Sequence, residues 1–156
     1  MKNRKNLHDY GLVLILLGVL NLFMFASTVI AGLVDGSIDA ALANVNAEIL
    51  VAVKVLLGIT GGISALIVFA DVLIGIKALK VSANPNTDKG YITAAKVFFV
   101  VSVVATGSAI FSLFEGNAPT VDSIINLVNS ALSAVVYVYF IKAATAVRED
   151  VLKGAK

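Results

Sequence analysis

With 156 residues, 59% of them hydrophobic and 14% charged, the chain is too short to hide its apolar surface inside a water-soluble globule. Lipid is the solvent this composition fits. The formal net charge of +2 is small and nothing points to nucleic acid, while the absence of cysteine excludes disulfides, thiol nucleophiles and thiolate metal sites.

Four apolar runs, at about 10–34, 51–76, 92–114 and 124–141, each approach or exceed the ~20 residues that cross a bilayer as a helix. Polar gaps separate them: DGSIDAALANVNAE, KVSANPNTDKG and EGNAPTVDS. Pro85 and Pro119 both fall in gaps, where a missing N–H does no harm. MKNRKN before the first run also fits a signal peptide, with Val29-Ile30-Ala31 as a cleavage site. The run is long for that purpose, and a retained helix is expected.

Charge sets the orientation. Lys2, Arg4 and Lys5 precede the first run; Lys77, Lys80, Lys89 and Lys96 surround the second gap; Lys142, Arg148, Lys153 and Lys156 follow the fourth run. Only Lys54 lies at the other edge, with Asp35, Asp39, Glu48, Glu115 and Asp122. The positive-inside rule places both termini and the second gap in the cytoplasm, and Tyr10, Tyr91, Tyr137 and Tyr139 mark the same boundary as an aromatic belt. The expected fold is an all-α integral membrane protein of the plasma (inner) membrane. It is a single domain over 1–156, with four transmembrane helices as two antiparallel hairpins.

TVIAGLVDG (28–36) and SAIFSLFEG (108–116) each end a span with an acid followed by glycine. They are consistent with a parallel hairpin repeat over 11–80 and 90–150, against chance matching in apolar segments of few residue types.

Helices 2 and 4 read beyond the bilayer. From Ser37 to Lys80 no proline interrupts helical spacing, which would make a rod of about 65 Å. The alternative is a short interfacial helix over 38–50. Helix 4 reads on through KAATAVREDVLK.

ALIVFADVLIGIKALK (65–80) places Asp71 in an apolar run, six residues from Lys77. Side chains lean toward a helix's N-terminus, so Asp71 leans deeper into the membrane. Asp71 and Lys96 have nearly the same index sum as Lys77 and Tyr91, so an antiparallel hairpin sets the two charges at similar depth. An Asp71–Lys96 ion pair is expected, cancelling a cost of a few kcal/mol per isolated charge. A neighbouring counter-charge favours a structural pair over cation or proton binding at Asp71.

Helix 4 carries Asp122, Asn126, Asn129, Ser130, Ser133 and Tyr137 at three- and four-residue steps; helix 3 carries Ser102 and Thr106; helix 2 carries Gly58, Gly61 and Gly62; helix 1 carries Gly11, Gly18, Asn21 and Gly32. Small and amide side chains let helix backbones approach and bond across the contact. They serve one bundle or, where a helix has two such faces, a neighbouring subunit. The helix 4 stripe has no second carboxylate for a relay. Lone His8 makes no metal site, and Asp9 reads as a helix N-terminal charge.

No nucleophile, acid–base pair or metal cluster is visible, so neither an enzyme nor a cofactor is expected. The expectation is a non-enzymatic membrane subunit whose partners are the bilayer and copies of itself or a larger membrane complex. The alternative is a small cation- or proton-coupled transporter or channel using Asp71.

Overall fold

The computed structural model describes residues 2–34, 46–114 and 121–154, except for the side chains of 28–34, of most of 47–64, and of 112 and 122. These residues form four helices: α1 (Lys2–Val34), α2 (Ala47–Ala83), α3 (Gly90–Phe114) and α4 (Val121–Gly154). Three of them contain segments long and apolar enough to cross a membrane: Lys2–Ser27, Gly90–Phe111 and Ser123–Gly154.

Helix α1 starts eight residues before the first apolar run, with no acid in its first turn. Asp9 therefore sits inside the helix, which corrects its reading as an N-terminal charge. Good helix formers at Lys2, Arg4, Lys5 and Leu7 carry the helix outward from the run. Helix α2 begins at Ala47, and Asn46 before it is not helical. The unbroken rod from Ser37 is thus corrected, while residues 35–45 lie outside the described set. The predicted extension of α4 is present: it spans 34 residues, about 50 Å, and carries Lys153 in its last turn, where a cation meets the negative helix end.

The chain divides into two compact units, Met1–Ile15 with Leu73–Lys156, and Leu16–Val72. In the first unit, parts of all four helices enclose one apolar core. Leu7 and Leu14 of α1, Ala78 and Val81 of α2, Tyr91 and Ala95 of α3, and Phe140, Ala144 and Val147 of α4 are buried there. Within each helix the steps are three, four or seven residues, which keep one face inward. Phe140 sets its ring edge-on to Tyr91, centroids 6.1 Å apart, and Phe98 stacks on Tyr137 at 6.5 Å. Away from this core Val100, Val104, Phe111 and Phe114 of α3 are exposed. In water such a face would be an aggregation hazard, whereas lipid tails solvate it.

In the same unit α1 and α2 meet backbone to backbone. A Cβ built on Gly75 would lie 2.6 Å from the Gly11 carbonyl oxygen and 2.6 Å from Cγ1 of Ile15; one on Gly11 would lie 3.1 Å from Cβ of Ala78. In the second unit a Cβ on Gly18 would lie 3.1 Å from Cγ2 of Val72 and 3.2 Å from Cβ of Asp71. The Gly75 contact needs a residue without a side chain, while a methyl at Gly11 or Gly18 would require its neighbours to give by a few tenths of an ångström.

Candidate functional site at the basic end of the helices

The turn between α2 and α3 is built by its own side chains. Asn86 Oδ1 accepts a hydrogen bond from the Asp88 N–H at 3.0 Å, and Asp88 Oδ1 accepts one from the Gly90 N–H at 2.9 Å. Short polar side chains that bond backbone two residues on are what fold such turns. The Gly90 N–H is one of the donors that α3's first turn leaves without a helical partner. The other Asp88 oxygen, Oδ2, lies 2.9 Å from Lys77 Nζ on α2. One carboxylate thereby caps α3 and ties it to α2. These bonds hold the Asp88 carboxyl below the usual carboxylate range, the Gly90 amide first and Lys77 next.

Two further bonds tie α4 to this turn and α1 to α4. Arg148 Nε of α4 donates to the Thr87 carbonyl at 3.2 Å, and Asn3 Nδ2 of α1 donates to Asp150 Oδ2 at 2.9 Å. Arg4, Pro85, Val147, Asp150, Val151 and Gly154 line a groove of about 330 Å³ here. A second groove, of about 260 Å³ between α1 and α4, is lined by Asn3, Asn6, Tyr10, Tyr139, Lys142, Ala143 and Ala146. Tyr10 and Tyr139 stack with centroids 5.8 Å apart and an interplanar angle of 13°, and Lys142 Nζ stands 5.7 Å from the Tyr139 centroid. His8 Nδ1 and Asp9 Oδ1 are 3.4 Å apart on the exposed side. Among the described residues no three His, Cys, Asp or Glu side chains cluster as metal ligands.

Asp71 is 3% exposed and belongs to the Leu16–Val72 unit, where it faces Gly18. Lys96 is exposed and belongs to the other unit.

The hydroxyls of Ser102, Thr106, Ser130 and Ser133 donate to carbonyls of their own helices. Ser102 Oγ reaches the Phe98 carbonyl at 2.9 Å, Thr106 Oγ1 the Ser102 carbonyl at 2.7 Å, Ser130 Oγ the Leu127 carbonyl at 3.1 Å and Ser133 Oγ the Asn129 carbonyl at 2.9 Å. A carbonyl three or four residues back is always within reach, so no partner helix is required. Asn129 is half-buried and Asn126 exposed. Gly62 is exposed with open space where a Cβ would stand, and the surroundings of Gly58 and Gly61 lie outside the described residues.

Compared with protein-family models, with curated proteins and with solved structures, the chain matches none.

Sequence reasoning did not find the Lys77–Asp88 tie or the Gly11–Gly75 approach. The first had a signal: NPNTDKG is a run of turn formers with an acid just before a helix.

Proposed function

We propose that the protein is a non-enzymatic membrane subunit that assembles with itself or with other membrane proteins, with both termini and the Asn86 turn on the cytoplasmic side. The observation that carries this reading lies on α3. Gly107 is exposed between Val103, Val104, Ile110 and Phe111, and a Cβ on it would meet nothing within 4 Å. A notch of this kind in an outward apolar face lets a second helix approach, where a face meeting only lipid gains from a large side chain. Open space at Gly62 of α2 supports the same reading. The long helix ends, α4 above all, supply further contact surface outside the bilayer.

Native mass spectrometry from several mild detergents tests it. An oligomer or a co-purifying partner is expected, and Gly107→Leu is expected to dissociate it while leaving the helical content unchanged. A clean monomer in every detergent would overturn the proposal.

Asp71 favours a second reading, a cation- or proton-coupled transporter, because it is the charged residue buried among the described ones. The Asp71–Lys96 ion pair, supported by hairpin depth, is the structural form of the same residue. Flux into protein-containing vesicles separates the two: transport abolished by Asp71→Asn supports the second, and no flux in the wild type removes it.

A further inference from the structure

We infer that the groove between α1 and α4 seats the phosphate of an anionic lipid headgroup, with Lys142 as its counter-charge. The inference rests on the chain being membrane-embedded and not on its assembly.

Charge comes first. Lys142 is the cation among the lining residues, and no carboxylate lines the groove. Asp150 and Asp9 lie outside the lining, Asp150 accepting a hydrogen bond from the lining Asn3 and Asp9 lying beside His8. The neighbouring groove is a poorer anion site because Asp150 lies in its wall beside Arg4.

Donors come next. Lys142 makes no ion pair with another described residue and stands over the Tyr139 ring, so its ammonium is held by π-electrons rather than by an acid. Asn6 lines the groove with its amide unbonded to any described side chain. Asn3 has one amide hydrogen committed to Asp150 and a second to offer. An ammonium and two amides converging on one cleft match the several acceptor oxygens of a phosphodiester.

Depth decides between a lipid and a soluble phosphate. Tyr10 opens the first apolar run and Tyr139 lies near the end of the fourth, so the stacked pair marks where hydrocarbon gives way to headgroups. A phosphate seated beside these rings is at the level a lipid phosphate occupies. Basic pockets between helices on the cytoplasmic side are the form such sites take.

Native mass spectrometry of the full chain, released from nanodiscs of equal phosphatidylglycerol and phosphatidylcholine, tests the inference. Preferential retention of phosphatidylglycerol is expected, falling roughly five-fold in Lys142→Gln combined with Asn6→Ala, about the effect of one interfacial cation. Lys142→Arg is expected to keep the preference, as is Lys153→Gln, which removes a cation outside the groove. Equal retention in the double variant would overturn the site, and so would an equal loss in Lys153→Gln. Displacement of the lipid by millimolar glycerol phosphate would overturn the lipid as source. The same spectra read subunit number separately: a monomer that keeps the lipid overturns assembly alone.

Discussion

The Gly75 α-carbon and the Gly11 carbonyl oxygen lie so close that a methyl group between them has no room: it would stand 2.6 Å from the oxygen. The obstacle is backbone, which cannot swing aside as a side chain does. Gly75→Ala regains about 1 kcal/mol of helix propensity but overpacks a backbone contact at a cost of about 1–3 kcal/mol or more. The net expectation is lower stability. Thermal unfolding of Gly75→Ala in detergent should therefore show a lowered midpoint, and a stabilised Gly75→Ala would contradict the close approach.

Asp88 ties α3 to α2 only while ionised. Its folded pKa is below its ordinary value of 3.8, so the unfolded chain takes up the proton first as pH falls. The stability it contributes is present above about pH 4 and is lost as the pH falls through the folded value. Asp88→Asn keeps an acceptor for the Gly90 N–H but removes the charge facing Lys77. The variant should show a shallower fall in melting temperature between pH 5 and pH 2, roughly the range over which a carboxylate with a lowered pKa takes up its proton. A fall as steep as the wild type's would show that Asp88 does not act this way.

Tyr91 has its hydroxyl buried without a hydrogen-bond partner among the described residues, while its ring packs on Phe140. Removing a buried hydroxyl that bonds nothing relieves a desolvation cost of about 1 kcal/mol or more. Tyr91→Phe should accordingly be neutral or stabilising. Phe140→Ala, which empties the other side of the contact, should cost about 3–5 kcal/mol. Equilibrium unfolding in detergent checks both, and a destabilised Tyr91→Phe would mean the hydroxyl has a partner.

Asp71 and Lys96, replaced together by leucine and methionine, should leave the oligomer nearly intact if they form a structural pair, because neither charge is then left buried alone. Lys96→Met by itself, which leaves the buried Asp71 carboxylate without that counter-charge, is expected to cost more than the double replacement. Equal losses in the single and double variants would remove the pairing.

What the sequence made legible were features with a strong, repeated signal. Apolar runs of bilayer length give the helices, and unbroken helix formers after Lys142 give the extension of α4. Less legible was anything decided by a single contact. Asp88 looks like one more polar residue of a turn until Lys77 is seen 2.9 Å away. Gly75, among Ile74, Ile76 and other apolar residues, gives no local hint that Gly11 touches it. The start of α1 is hidden because Lys2 to Asn6 is polar, and polarity reads as an end of structure although lysine and arginine are good helix formers. Hydroxyls on α3 and α4 read as reaching across helices, although their own carbonyls compete for them at every turn.

Because the chain has no cysteine, single cysteines report sidedness without background. Lys5→Cys, Asn86→Cys, Asn117→Cys and Lys153→Cys, probed in right-side-out vesicles with a membrane-impermeant maleimide, test the proposed sidedness of the two chain ends, the Asn86 turn and the third gap. Labelling of position 117 alone is the predicted result, with 5, 86 and 153 reacting only after the membrane is opened. Labelling of position 5 or 153 from outside would contradict it, and with it the placing of the basic end at the inner leaflet.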